Sequence, residues 1–405
     1  MIPFSPPRMD QKIIDEVVSA LKSGWITTGP RVRKFEQNLT EYAGHKATLC
    51  TSSGSAGLEL MLRWFGVKEG DEVILPAYTY CATANVIVHC GAKPVFVDVA
   101  TDFNISMEAI EKAITNKTKV ILPVDLAGFP CDYTEINELV KRKDIKAKFS
   151  PNTEEQKKLG RILVLSDAAH SVGAIYEGEK TGKLTDVTVY SFHAVKNLTT
   201  AEGGAVCLNL PEPFENEMIH KYLKMKSLHG QSKDAFSKTQ IGGWRYDVIE
   251  PGYKFNMTDI AAAMGLVELE RYDSDMLVHR KKIFDAYSNI FSKFDWAQLP
   301  DYETKEKVSS YHVYLIRIKG ITEEQRDQII QKIYEKEVAV NVHFIPLPMM
   351  TYYKKQGYSI DNFPVSYDNF ARVISLPVYY DLTDEQVQFV GNTVKESVEE
   401  VLNDD

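Results

Sequence analysis

Six short apolar runs constrain this fold more than any other feature: "DEVILP", "KPVFVD", "KVILPVD", "RILVLSD", "VTVYSF" and "GGAVCL". Each is shorter than an ordinary helix and rich in Val, Ile or Leu, as expected of a strand buried on both faces. Helical patterns lie between many of them, over residues 80–90, 106–114 and 133–143. This alternation predicts an α/β fold, a mostly parallel central sheet with helices on both faces. Ligands of such sheets bind outside the carboxyl ends of the strands. Asp98, Asp125, Asp167 and the "SFH" of residues 191–193 stand at those ends, so chemistry is to be sought there.

Downstream the character changes. Residues 1–257 are expected to form an N-terminal arm and the large α/β domain. The pattern "TDIAAAMGLVELERYDSDMLVHRKKIFDAYSNIF" predicts a long connecting helix over 258–295, with Thr258 or Asn256 capping its start. A smaller α+β domain is expected over 296–405. There "SSYHVYLIRIKG" and "VAVNVHFIP" have strand patterns, and "TEEQRDQIIQKIYEK" and "TDEQVQFVGNTVKESVEEVL" have helical ones. The charged segment 141–160 lacks an apolar face and is expected to be a solvated excursion or an extension of the preceding helix.

Bulk properties exclude several functions. The net charge of −9 argues against nucleic-acid and anionic-membrane partners. The start "MIPFSPPRMD" lacks the charged-then-apolar pattern of an export signal, and no run is long enough to cross a bilayer. Five scattered cysteines without a CxxC pair point to reduced thiols and a cytoplasmic location. The nine histidines show no HExxH and no paired Cys/His spacing, so no metal is expected. A GxSxG nucleophile elbow is also missing.

Four features combine into one chemistry. "CTSSGSAGLELMLRWF" runs small and hydroxyl residues straight into an amphipathic helix. Such a start is a phosphate seat, with Ser55 as an added donor, or simply a Ser-capped helix. Asp167 ends a buried-type strand, where a carboxylate must be paired, cap a helix or face a ligand. Tyr80, at a helix start, offers a flat ring for stacking or for core packing. Lys196, in "SFHAVKN", sits among hydroxyl and aromatic residues. A desolvated lysine loses its proton more readily and forms a Schiff base with an aldehyde. Together these meet the needs of pyridoxal 5'-phosphate: an amine for the aldehyde, an acid for the ring nitrogen and a seat for the phosphate.

The motifs "SGWITTGPRVRKFEQNLTEYAG", "SSGSAGLEL", "PAYTYCATANVI", "KPVFVDV", "LSDAAHSVGA", "SFHAVKNLTTAEGGAV" and "GYKFNMTDIAAAMGLVELER" follow one another in an order that resembles the DegT/DnrJ/EryC1/StrS sugar-nucleotide aminotransferases. The resemblance runs from about residue 2 to 400. It implies a fold-type-I enzyme, a homodimer with shared active sites. Lys196 takes the place of the Schiff-base lysine and Asp167 that of the partner of the ring nitrogen. His170 takes the place of the Gln or His near the ring's phenolic oxygen, and Tyr80 that of the stacking aromatic. Ser55, Ala56 and Ser191 match phosphate contacts. Lys254 and Asn256 stand where many members carry Asn and Arg, and Lys254 is expected to reach the partner's phosphate.

His193 and Asn197 flank the lysine, and His193, Lys226, His229 and Arg245 are candidates for the substrate. His312 and Tyr314 are read as small-lobe core, and Cys81 as a small buried group. The implied reaction moves an amino group from glutamate to a keto sugar nucleotide, at C4, for a surface polysaccharide or lipid. "GYKFN" and "HGQSKDAF" are closest to the branch that makes 4-amino-4-deoxy-arabinose nucleotides. A 3-keto substrate, or a sensor on the same fold that keeps the cofactor without transfer, are the alternatives. A lysine at position 196 argues against the 3-dehydrases, which carry histidine there.

Overall fold

The computed structural model describes residues 1–232 and 244–403. All six apolar runs are strands of one seven-stranded sheet. These are β2 (Glu72–Pro76), β3 (Lys93–Val97), β4 (Thr118–Ile121), β5 (Leu163–Asp167), β8 (Val187–Ser191) and β9 (Gly204–Leu208). The seventh, β1 (Ala47–Thr51), is a fully buried edge strand that leads directly into the Ser-rich helix Gly54–Trp64. The strand order is β1-β9-β8-β5-β4-β2-β3, and the short strands β6 (Ile175–Tyr176), β7 (Glu179–Lys180) and β11 (Lys307–Val308) form a separate small sheet. In the seven-stranded sheet only β9 is reversed: it pairs antiparallel with β8 and β1, while the remaining pairings are parallel. The core around this sheet is apolar, mostly aliphatic, and includes Leu60, Phe65, Ile74, Val120 and Leu165.

The helical patterns are found at Cys81–His89, Met107–Ala113 and Tyr133–Lys141. The charged excursion is more ordered than its composition suggested. It forms two short helices, Lys143–Lys148 and Glu154–Leu159. Buried polar groups pin it to the amino ends of the strands. Lys119 Nζ donates to the Ser150 carbonyl, Asn152 donates to Asp71 at 3.0 Å, and Gln156 donates to the Phe65 carbonyl at 2.9 Å. It therefore lies at the end of the sheet opposite Asp167.

Thr258 caps the next helix, accepting from Ala261 N at 3.2 Å, while Asn256 instead donates to Thr28 at 2.7 Å. That helix is not continuous. It runs Asp259–Glu270, opens into a π turn at Tyr272–Met276, and resumes at Leu277–Phe291. The wider turn lets three side chains reach other elements. Tyr272 donates to the Val172 carbonyl at 2.9 Å, Asp273 pairs with Lys180, and Asp275 pairs with Arg8 at 2.7 Å. Arg8 also pairs with the buried Glu268 at 2.9 Å and lies 4.0 Å from the Tyr380 ring, tying the start of the chain to its C-terminal part.

The C-terminal part carries a three-stranded antiparallel sheet of β10 (Ala297–Gln298), β12 (Tyr314–Ile318) and β13 (Val373–Leu376). Helices Glu323–Glu335 and Asp384–Asn403 contribute to its separate core. The segment "VAVNVHFIP" does not form the expected strand. It makes single bridges, Val338 to Ile2 and Asn341 to Ser375, because its neighbours engage it one residue at a time before Pro346 turns the chain. Among the described residues no helix is long and apolar enough to cross a membrane.

Candidate active site

A cavity of about 310 Å³ opens at the carboxyl ends of β5 and β8. Asp167, the last residue of β5, lines it and is buried. Thr83 Oγ1 donates to one carboxylate oxygen at 2.8 Å, and Ala169 N donates to the other at 3.2 Å. Burial pushes the Asp167 carboxyl above the usual carboxylate range, while those bonds and the charge of Lys196 pull it back.

Lys196 lies in the connection between β8 and β9 and lines the same cavity. Its side chain keeps some surface toward the cavity, yet protein atoms crowd the amine. Burial lowers its pKa to about 8, partly offset by Asp167. Amine and carboxylate are each held where the charged form is dehydrated. Each therefore favours a ligand that relieves it: an aldehyde for the amine, a protonated ring nitrogen for the carboxylate.

The third part is the start of helix Gly54–Trp64. Ser53 caps it, accepting from Ala56 N at 3.0 Å, and Gly57 N bonds the Ser53 carbonyl. Helix geometry leaves the N–H groups of Gly54 and Ser55 without intrahelical acceptors. Close packing holds this end against β8 and β9. A Cβ on Gly54 would lie 3.2 Å from the Ser191 Cβ, and one on Gly204 would lie 2.5 Å from Gly54 N. Ser53, Gly54, Ser55 and Ser191 all line the cavity. Ala56 does not, and its N–H is already spent on the cap.

At the mouth, Tyr80 is 58% exposed, with its ring 5.6 Å from that of Phe344. His170 lines the wall. It is buried, its Nδ1 accepts from Ala127 N at 3.2 Å, and its ring packs 4.3 Å from His312. His193 lines the cavity from an exposed position, 3.7 Å from Glu202.

The remaining candidates lie elsewhere. Lys226 pairs with Glu250 at 2.7 Å beside a second pocket with Arg63 and Tyr253. His229, Arg245 and Lys254 are exposed and do not line this cavity, and Arg245 stacks 4.8 Å from Trp244. Asp98 and Asp125, at strand ends like Asp167, hold structure instead. Asp98 accepts from Val365 N, Ser366 N and Ser366 Oγ at the start of helix Pro364–Arg372. Asp125 is buried among Cys131, Tyr133 and Ser171.

Several lining residues escaped the sequence reading. His312, expected in the small-lobe core, lines the cavity and hydrogen-bonds Asn197 Oδ1 at 2.7 Å. His343 and Phe344 enter from the segment mistaken for a strand. His343 is held by Ser375 Oγ at 3.0 Å and stacks on Phe4. Burial and the neighbouring Lys196 lower its pKa to about 4. The only signal in the sequence was a histidine beside an aromatic before a proline.

These residues fit pyridoxal phosphate. A glycine-lined cradle with free N–H groups and hydroxyls suits its phosphate. The buried carboxylate suits its ring nitrogen, and the low-pKa amine suits its aldehyde. Among the described residues no group of three or more His, Cys, Asp or Glu is placed to hold a metal ion.

Comparison with known proteins agrees. The DegT/DnrJ/EryC1/StrS aminotransferase family profile matches residues 7–148 and 153–395. A sugar aminotransferase of Streptococcus pneumoniae, solved in its PMP form, superposes with a TM-score of 0.95 at 44% identity, covering 99% of this chain and 100% of that one. PseC of Helicobacter pylori, an aminotransferase involved in the biosynthesis of pseudoaminic acid, superposes with a TM-score of 0.86 at 27% identity, over 98% and 99% of the two chains. The spore coat polysaccharide biosynthesis protein SpsC of Bacillus subtilis is 33% identical over 98% of this chain and 97% of its own. Cavity chemistry, fold and family profile thus coincide, and the chain belongs to the DegT/DnrJ/EryC1/StrS aminotransferase family, as a pyridoxal-phosphate-dependent aminotransferase.

Proposed function

We infer that this enzyme moves the amino group of glutamate to a keto sugar nucleotide, at C4, and that the amino sugar serves a surface polysaccharide or lipid. The observation that carries this reading is the low-pKa amine of Lys196 sharing one cavity with the buried carboxylate of Asp167 and the open helix start at Ser53–Ser55. The sugar assignment draws on the pneumococcal sugar aminotransferase, PseC and SpsC. The choice of C4 draws on the resemblance of "GYKFN" to the 4-amino-4-deoxy-arabinose branch.

When bound, pyridoxal phosphate supplies the aldehyde that carries the amino group and a ring that takes up electrons from the donor's α-carbon. In this reading Lys196 Nζ removes the proton at that carbon and later delivers one to the acceptor sugar, as general base and acid. The Asp167 carboxylate keeps the ring nitrogen protonated, with Thr83 and Ala169 fixing its direction. Gly54 and Ser55 N–H groups and the Ser55 and Ser191 hydroxyls hold the phosphate. Tyr80 stacks on the ring, and His193 shapes the substrate side.

Residues 1–257 form the cofactor lobe, 258–295 the connection and 296–405 the small lobe, in a cytoplasmic homodimer. Two features support the dimer. Lys254, Arg245 and His229 lie outside the cavity of their own chain, free to serve a neighbour's, and Ile14, Val18, Leu21 and Ile26 are exposed apolar residues near the N-terminus. Buried free cysteines suit a reducing compartment.

The test is mass spectrometry of products from glutamate with UDP-, GDP- and dTDP-linked 4-keto and 3-keto sugars. A new 4-amino sugar nucleotide is expected. Amination of only 3-keto substrates would move the position, and loss of the glutamate half-reaction as well would leave a cofactor-binding sensor.

A further inference from the structure

The turn Leu126–Gly128 follows β4 and runs under the His170 side chain. Ala127 sits in the left-handed region with φ 55°, and Gly128 has φ 89°. The Ala127 and Gly128 carbonyls are both held from the C-terminal part: Ser310 N donates to the Gly128 carbonyl at 3.0 Å and His312 N to the Ala127 carbonyl at 3.2 Å. So anchored, the Ala127 N–H points at His170 Nδ1. Gly128 is required by space as well as by φ. A Cβ there would lie 2.1 Å from Ser310 Oγ and 2.9 Å from the His170 carbonyl.

We propose that the Ala127–Gly128 turn is a positioning element that fixes His170 as the neutral tautomer protonated on Nε2, so that the ring presents a hydrogen-bond donor, and only a donor, to the cofactor's phenolic oxygen. A neutral imidazole has one N–H, and a ring whose Nδ1 accepts the Ala127 N–H must carry its proton on Nε2. The groups facing His170 are Lys196, His312, His343 and Phe344, none of them an acid. Burial, and after it the positive forms of Lys196 and His343, oppose protonation of His170. His312 is set the opposite way. Asn197 Nδ2 donates to the Ser310 carbonyl at 2.7 Å, so Asn197 Oδ1 is an acceptor and His312 Nδ1 carries the proton. The two packed rings, tilted 42° to each other, therefore carry unlike Nε2 edges, one with N–H and one with a bare nitrogen.

This inference rests on the cofactor reading but not on the sugar. Its test is long-range ¹⁵N–¹H correlation on histidine-labelled enzyme loaded with pyridoxal phosphate, with the His170 signals identified by their loss in His170→Gln. A bare Nδ1 and a protonated Nε2, unchanged from about pH 6 to 9, are expected. A protonated Nδ1, or titration within that range, overturns the assignment whether or not any sugar is aminated. Gly128→Ala is expected to give a mixture of tautomers and to shift the pH midpoint of the bound cofactor's absorbance, whereas His170→Gln, which keeps a donor, leaves that midpoint near the wild-type value. Should Gly128→Ala not fold, adding Ser310→Ala removes the nearest collision. A folded Gly128 variant that keeps the pure Nε2 tautomer would show that the turn does not set it.

Discussion

The pH dependence of Lys196 is the sharpest consequence of the site. Burial lowers its pKa from 10.5 to about 8. At pH 7 that leaves about one amine in ten unprotonated, about 300-fold more than for an unperturbed lysine. The assay is competitive acetylation of the cofactor-free protein with trace acetic anhydride across pH 6–11, read by mass spectrometry on the Lys196 peptide against surface lysine peptides. Labelling of Lys196 should climb about tenfold per pH unit and level off above pH 8. The sign for stability follows from the same shift. The folded value lies below the unfolded one, so between pH 8 and 10.5 the unfolded chain binds more protons. The cost of this lysine to the empty protein, on the order of 3 kcal/mol at neutral pH, is therefore full below pH 8 and fades as pH rises to 10.5. A labelling midpoint at about pH 10 would mean that water reaches the amine freely, and would refute the dehydration on which its reactivity rests.

Further outcomes follow from the same geometry. Lys196→Ala should lose the borohydride-trapped adduct and reduce transamination by about 10²–10⁴-fold or more; trapping at another lysine would move the assignment. Thr83→Val removes the 2.8 Å bond to Asp167 and should weaken cofactor binding roughly 10- to 100-fold in a titration, with little change in fold by circular dichroism. Asp98→Ala removes three bonds at the start of helix Pro364–Arg372 and should cost about 0.5–2 kcal/mol in denaturant unfolding, leaving the cofactor's absorbance unchanged.

The contrast among three aspartates shows what the sequence could reveal. Asp98, Asp125 and Asp167 look alike: each ends a Val/Ile/Leu run. Their fates depend on partners far along the chain. Asp98 meets Ser366, Asp125 meets Ser171 and Tyr133, and Asp167 meets Thr83 and the cavity. Strand–helix alternation was legible because it is local and periodic, and Lys196 because its neighbours are unusual for an exposed lysine. The π turn at Tyr272–Met276 was not, since a helical pattern carries no mark of where tertiary contacts pull one residue out of step. Nor were His343 and Phe344, whose segment has a strand's composition but no continuous partner. The excursion at 141–160 was not legible either: its order comes from Lys119 and Asp71, far off in the chain, and the family profile breaks within it at residues 149–152.

The single reversed strand has a consequence for how this protein can change. Because β9 returns alongside β8, Ser191 and Gly204 face each other across the ladder, and the segment bearing Lys196 leaves and re-enters the sheet at neighbouring positions about 4.8 Å apart. Insertions or deletions in distant surface loops leave that gate-post spacing untouched, so lineages can remodel their periphery without displacing the amine. A slip of one residue between the two strands, by contrast, would turn Ser191 to the opposite face and break the seat and the lysine in a single step.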